Sequence, residues 1–536
     1  MQPGLKAIKR KQKFLSTFKG LCLRRVTPEG YFRDAENISS DGYPVITPRR
    51  PRCVITGCSD IYAMYDHAKI CWLWGETLYY GDDIVGTLTP GEKQFASLGA
   101  NIVIYPDKML LNTETKTLSS LENETGASVA AIYSCNRDGT RAQGTSFSKI
   151  EAPGVGKGFR EGDGVTIEGF LDALPDGNYM VQGAGEDYLI IIHSLAYNRE
   201  ITSEITFSRK APDFDFICAL DNRIWGASTK DHKICACALG DPTNWNVFQG
   251  ISTDAYQTVI PSPTPFTGCS SDLGSVIFFK EEEIIRVFGN KPSNFQVVSY
   301  KMPGVEAGSS KSIAYLESAI LYKGLTGVYV YDGGIPETIS AFLGDGRYTS
   351  ARAGAINGKY FISMLDEAAG EYRLFVYDMR SRAWYRENAP EIKYFTRSGG
   401  ELYMAAADGR IHTVNGGKVW YDTKKVVSTR ISIDERIIDW YFETAPVTLS
   451  MPNRQYVTHL HVRYALKADA VFRLEIRFRE DRDYTIVGEF SKETTENTIT
   501  VPVPVRRSDS VSLRFSGTGE AIIMAIGKTF SEGSDR

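Results

Sequence analysis

Six times along the chain a turn containing Gly, Asn, Asp or Glu feeds a compact apolar tetrad. The segments read WGETLYYG (74–81), LDNRIWGAS (220–228), LGSVIFFK (273–280), LESAILYK (316–323), INGKYFIS (356–363) and GGELYMAA (399–406). Between Ile224, Ile277, Ile320, Tyr360 and Leu402 the spacings are 53, 43, 40 and 42 residues, close to the repeat length of propeller blades. Most tetrads are followed by a turn and a second strand: KICACALG, EIIRVFGN, GVYVYDGG, RLFVYDMRSRAWYRE and GRIHTVNG. A hairpin alone cannot bury both faces, whereas blades packed radially can. The pattern predicts a β-propeller of about six blades, divergent because WD and Kelch signatures are missing. Unrelated hairpins distributed among sandwiches are the alternative.

Composition points the same way. Aromatic residues make up 12% of the chain, with 49 Gly and many β-branched residues, a strand-favouring mixture. Helical periodicity is almost absent. The one plausible helix is short, in KAIKRKQKFLSTFKG, where Leu5, Ile8, Phe14 and Phe18 form an uneven apolar stripe. At 536 residues the chain exceeds one ordinary core, so several domains are expected.

The predicted organisation is an extended N-terminal arm (1–52), a propeller (53–126 and 213–417), an inserted small β-barrel or sandwich (127–212) and a C-terminal β-sandwich (418–536). Within the 146-residue gap from Leu78 to Ile224, NIVIYPDKMLLN is assigned to the rest of the first blade. The insert follows from GFREGDGVTIEGF and DGNYMVQGAGEDYLIIIH, alternating strands broken by Gly-Asp and Asp-Gly turns. Beyond residue 418, segments such as VTHLHVRYAL, VFRLEIRFRE and SVSLRFSG are closely spaced alternating strands, an antiparallel sandwich of jelly-roll type. Pro502 and Pro504 place VPVPV on an edge.

Several function classes recede. No apolar run approaches the ~18 residues of a membrane span, and the basic N-terminus lacks the apolar core of a secretory signal. The expected place of synthesis is a cytoplasm. A net charge of −4 provides no global field for nucleic acid. The nine cysteines include no C-x-x-C pair, and neither His67/Cys71 nor His232/Cys235 has a second ligand pair, so they read as small buried, reduced thiols and no metal is expected. His459 and His461 share a strand face without a third ligand. No cofactor motif is present: GVGKGF (154–159) puts Lys157 between glycines with no hydroxyl residue after it.

Propellers can host paired-carboxylate glycosidases. The candidate acids are Asp213 and Asp215, Glu281 to Glu283, and Glu480, Asp481 and Asp483. They read as a half-exposed strand, a solvated hairpin turn, and a turn with interleaved arginines. The sialidase Asp-box is not present as a series, so no catalytic residue is assigned and no enzyme is expected. Asn37-Ile-Ser and Asn123-Glu-Thr read as chance sequons.

Residues 20–52 are more specific. An irregular stretch ends in Glu36-Asn37, followed by an Asp41-Gly42 turn and a Pro-flanked strand that runs into Arg49-Arg50-Pro51-Arg52. This resembles the N-terminal signature of tail nozzle proteins of short-tailed bacteriophages, also called tail stabilisation or tail tubular B proteins. The segment 221–248, with Asn222-Arg223-Ile224-Trp225 and a later Asp241-Pro242 to Trp245 turn, is similar to virion propeller segments. The resemblance spans the arm and propeller. It implies a structural virion protein made in the bacterial host and found in the phage tail, usually a hexameric ring below the portal and adaptor. Such a ring surrounds the DNA exit channel, passes genomic DNA and anchors fibres or spikes.

Under that reading Arg49, Arg50 and Arg52 form a stiff, exposed basic arm docking on an acidic neighbouring subunit. Arg473, Arg477 and Arg479, on one face of a sandwich edge, supply further contacts. The rival class is a receptor- or glycan-binding tail protein using Trp225, Trp245, Trp384 and Trp420 as sugar platforms. A propeller glycosidase is the third.

Overall fold

The computed structural model describes residues 10–55, 57, 59–169, 174–415, 432–434, 437–448, 455–479, 481–504, 506–508 and 510–532. Apart from three short 3₁₀ turns, the elements of these residues are strands. The chain forms two compact units, one of residues 1–68 with 306–536 and the other of residues 69–305.

Both units are built on antiparallel meanders whose order in space is their order in sequence. In the 69–305 unit, four-stranded meanders occupy Gln94–Ser120, Phe216–Val259 and Gly268–Lys301. The 306–536 segment supplies two more, Ala314–Thr338 and Tyr348–Glu387. Five of the six apolar tetrads form the second strand of a meander. Arg223–Ser228, Ala319–Gly324 and Glu401–Ala406 are buried at every position. A strand paired on both sides and packed on both faces reads as an unbroken apolar run, which is why the tetrads do not alternate. The turn before one tetrad is Asn357-Gly358, both residues at positive φ (52° and 75°), the geometry that a two-residue hairpin requires.

Residues 94–120 depart from expectation. The NIVIYPDKMLLN segment belongs to its own four-stranded sheet, not to the sheet that carries Thr77–Tyr80. The insert is an eight-stranded antiparallel sheet running from Asn123 to Arg209, a few residues earlier than expected at its start. Its core gathers Ile132, Ile150, Val165, Ile167, Ile191 and Phe207.

In the other unit the C-terminal strands form a sandwich. One sheet has the order Arg10–Leu15, Ala521–Glu532, Gln455–Leu466, Thr494–Pro502. The second runs Phe32–Glu36, Asp439–Thr444, Ser510–Thr518, Val471–Phe478, Thr485–Phe490. Side chains from the two sheets interdigitate, with the Tyr464 and Phe472 rings 4.8 Å apart and edge to face. Pro502 ends an edge strand, as expected, since proline cannot donate to an inner ladder.

The N-terminal segment is part of this architecture. Arg10–Leu15 adds an edge strand to one sandwich sheet and Phe32–Glu36 adds one to the other. A last meander of Ile392–Ser398, Glu401–Ala406 and Ile411–Thr413 is closed by Cys53–Ile55, which pairs with Ile411–Thr413 and also with Ser432–Asp434. In place of the short helix expected around residues 6–20, Arg10–Leu15 is a strand and residues 16–20 are irregular; residues 1–9 lie outside the described residues. A helix that short is marginal in water, and the open edge of Ala521–Glu532 offers six paired positions instead.

Candidate functional site

The arginine run lies between the strands Thr47–Pro48 and Cys53–Ile55. Pro48 and Pro51 remove two backbone donors. The three arginines then separate. Arg50 is exposed, whereas Arg49 and Arg52 are 5% and 4% exposed.

Arg49 donates from Nε to Oδ1 of Asn37 at 2.9 Å, from Nη1 to the Arg50 carbonyl at 3.1 Å and from Nη2 to Oδ1 of Asn388 at 3.0 Å. Arg52 Nη2 meets Oε2 of Glu387 at 2.5 Å, and its Nη1 donates to the Asn388 carbonyl at 2.8 Å. Asn37 ties the cluster together. It sits at φ 59°, a conformation that Asn tolerates, and donates its amide to the Asp439 carbonyl at 2.7 Å. Asn37 is thus a buried strut, not a surface sequon. The expectation of an exposed arginine arm is corrected for Arg49 and Arg52. Their acidic and amide partners belong to the same chain, and a rigid planar fork suits such a dry, fully partnered position.

Around Arg50 the network opens into a cleft lined by Ser39, Asp41, Arg50, Lys359, Glu387 and Asn415. Arg50 Nε lies 3.2 Å from Oδ2 of Asp41. Lys359 Nζ lies 2.6 Å from Oδ1 of Asp41 and donates to Oγ of Ser39 at 3.0 Å. Burial works to raise the Asp41 carboxyl, but the Lys359 ammonium, with Arg50 beside it, outweighs burial and holds it below its usual value. Asp41 is clamped by Lys359 and Arg50, and Glu387 is paired with Arg52, an arrangement that joins chain segments.

Because Arg50 is exposed, Arg50→Ala is expected to change stability in urea by less than about 1 kcal/mol. Asp41 contributes an acid-sensitive part of the stability. Its folded pKa lies below its unfolded one, so its stabilisation is complete above about pH 4 and is lost as acid titrates through the depressed value. Lys359→Met should remove that acid-sensitive component of the melting temperature. An unchanged acid profile would assign the sensitivity to other groups.

The second arginine set lies on Val471–Phe478, where Phe472, Leu474, Ile476 and Phe478 face the core and Arg473 and Arg477 face outward. The shared face is as expected. The strand is not an edge, because it pairs with Thr485–Phe490 on one side and Ser510–Thr518 on the other. Arg473 bridges to Glu489 at 3.0 Å, and Arg477 bridges to Glu443 at 3.0 Å while stacking 4.6 Å over the Tyr484 ring. Arg479 is exposed one residue past the strand.

The remaining candidates are dispersed. Asp213 pairs with Lys108 at 2.7 Å, and Asp215 accepts the Thr229 amide at 2.7 Å. Glu281 and Glu282 form the expected turn, but Glu283 opens the next strand and is 5% exposed, accepting from Ser299. That corrects its reading as solvated; its place at a strand start turns it inward. Asp481 chelates Arg506, Asp483 is exposed, and Glu480 lies outside the described residues. His461 is held between Thr500 and Thr529 at 3.0 and 2.8 Å. Among the described residues no three His, Cys, Asp or Glu side chains converge on a metal-sized site.

Trp225, Trp245 and Trp384 are buried in cores, so none of the three offers a sugar platform; Trp420 lies outside the described residues. Seven of the eight described cysteines are buried, with burial pushing Cys71 and Cys237 up to about 12; Cys58 lies outside the described residues. The partners missed by sequence reasoning are Asn37, Asp41, Lys359, Glu387 and Asn388. The run Glu387-Asn388 lies 335 residues or more from the arginines it satisfies, and nothing local marks it.

No family model and no curated protein matches the chain. Among solved structures it is similar to BamB from Moraxella catarrhalis, with 11% identity over 67% of this chain and 95% of that one, at a TM-score of 0.34. It is similar also to the phage phi92 endosialidase, with 10% identity over 76% of each chain and a TM-score of 0.28. An exo-beta-1,3-galactanase from Phanerochaete chrysosporium matches with 10% identity over 58% of this chain and 94% of that one, at a TM-score of 0.21. With its serial four-stranded meanders, the chain is an all-β protein of the propeller type.

Proposed function

We propose that this chain is a non-enzymatic structural protein of a bacteriophage tail, a ring-forming nozzle below the portal and adaptor through which genomic DNA passes. One observation carries the reading: the N-terminal segment is built into three sheets at once. Arg49 and Arg52 lock it against a meander strand more than 330 residues away. A chain tied end to start in this way is suited to transmitting load, which a conduit for pressurised DNA requires. The subunit contacts are assigned to outward-facing Arg473, Arg477 and Arg50 and to the exposed edge strand Thr494–Pro502, since an open edge and paired surface charges are what a neighbouring copy can engage.

Repetition of one heterologous contact closes a ring only when the rotation per subunit divides the circle. Light scattering and negative-stain imaging of the full chain are expected to show rings with a central hole, alone or with portal and adaptor present. Monomers under both conditions would overturn the reading. Cleavage of a glycan panel by the purified chain would replace it with an enzymatic one.

A further inference from the structure

Two four-stranded meanders of the 69–305 unit, Phe216–Val259 and Gly268–Lys301, follow one another in the chain and share one apolar cluster. Their first strands, Phe216–Leu220 and Gly268–Ser270, pair only within their own sheets. Between sheets the two strands meet through side chains. Alternation along a strand decides which side chains those are. Ile217 and Ala219 join the cluster of the preceding Gln94–Ser120 meander, whereas Phe216, Cys218 and Leu220 turn toward the following one. In that following meander Cys269 stands across the ladder from Phe278, and both enter the cluster that holds Cys218. Each cysteine is the middle residue of its strand.

Facing strands bring the two thiols together. The neighbouring Cys269 thiol, and burial after it, push the Cys218 thiol well above its ordinary value. Access differs between the two. Cys218 is 8% exposed, whereas Cys269 is the one described cysteine that is not buried. A reagent from solvent therefore meets Cys269 first, and Cys218 stands behind it as a resolving thiol. Turning Cys269 into a mixed disulfide also removes the larger of the two causes that hold the proton on Cys218, which favours the second step.

We propose that Cys218 and Cys269 are a redox-modification site, a thiol pair that a small-molecule disulfide oxidant closes into a covalent link between consecutive meanders. The Cys269 thiolate attacks one sulfur of the oxidant RSSR, forming a Cys269–SR mixed disulfide and releasing RS⁻. Cys218 then gives up its proton and attacks Sγ of Cys269, expelling the second RS⁻. Two thiols lose two protons and two electrons, and the oxidant leaves as two RSH. The linked residues lie 51 positions apart in the chain, so the bond takes loop entropy from the unfolded state. It also ties together two sheets that share side-chain contacts but no ladder. In a reducing cytoplasm the pair stays open, and in oxidising surroundings it closes. Neither step depends on the function proposed above.

The test uses the folded full-length chain, purified reduced, freed of reductant and incubated with oxidised glutathione. Intact mass is expected to fall by about 2 Da, the two hydrogens lost, and non-reducing peptide maps should join the peptides that hold Cys218 and Cys269. The oxidised chain should melt at least roughly 5 °C above the reduced one, and dithiothreitol should reverse the shift. Cys218→Ala is expected to stop at a glutathione adduct on Cys269, and Cys269→Ala should leave Cys218 a free thiol. An unchanged wild-type mass would overturn the proposal, as would a link that joins other cysteines or an adduct on wild-type Cys269 that never resolves. A link formed with no change in melting temperature would overturn its role as a staple. These deciding outcomes are all read on the wild-type chain.

Discussion

Replacing Arg52 with glutamate is expected to destabilise the chain by at least about 3–5 kcal/mol, the usual cost of breaking a buried ion pair from one side. Arg52 and Glu387 are 4% and 9% exposed, and the bond between them is 2.5 Å long. The variant places two carboxylates where a guanidinium and a carboxylate stood, and it strands the Asn388 carbonyl as well. Guanidinium unfolding followed by tryptophan fluorescence gives the number. The double variant Arg52→Met with Glu387→Leu is expected to recover part of the loss, since an apolar pair buries no charge, while the Asn388 carbonyl stays without the Arg52 donor. A wild-type midpoint for Arg52→Glu would remove the pair from the framework. The same argument governs tests of ring assembly. Reversing Arg49, Arg50 and Arg52 together would confound unfolding with lost contacts, whereas reversing Arg50, Arg473 and Arg477 probes exposed or half-buried positions alone.

Phe32→Ala should be comparably damaging, costing about 3–5 kcal/mol as a large buried ring becomes a cavity. Phe32 is 1% exposed, its ring lies 4.9 Å from that of Phe442 and 6.1 Å from that of Phe18, and its strand borders the Asp439–Thr444 strand. Its loss should also be felt locally. The attached strands are outermost in their sheets and paired on one side only, so their opening free energy is expected to lie below that of global unfolding. Limited proteolysis of the variant is expected to cut within residues 10–36 before the rest of the chain is attacked. Cleavage as slow as in the wild type, despite a lowered unfolding midpoint, would mean that the segment is held chiefly by the Arg49 and Arg52 network.

Much of the fold was legible because its causes are local. The Asn357-Gly358 pair specifies a tight hairpin through two positive φ values, and the tetrads that follow such turns declare strands buried on both faces. Pro502 marks an edge strand wherever that strand is placed. Alternation in VFRLEIRF separates the core residues Phe472, Leu474 and Ile476 from outward Arg473 and Arg477 without any knowledge of the partner strands. The candidate site was legible only in part. The arginine run stood out by composition, yet whether an arginine is a surface charge or a buried strut depends on acceptors that lie far away in the chain.

What the sequence determined by itself was therefore the central strands of the meanders and of the sandwich, their turns and the face that each turns inward, because side-chain period and backbone φ are properties of neighbouring residues. The tertiary structure alone decided which edges pair. It drew Arg10–Leu15 away from a helix and onto the open edge of Ala521–Glu532, set Phe32–Glu36 beside Asp439–Thr444, and closed the last meander with Cys53–Ile55. It also buried Arg49 and Arg52 against Asn388 and Glu387. Each of these outcomes depends on which edge or acceptor remains unsatisfied once hundreds of other residues have folded, and backbone hydrogen bonding at an edge is blind to the identity of the strand that completes it.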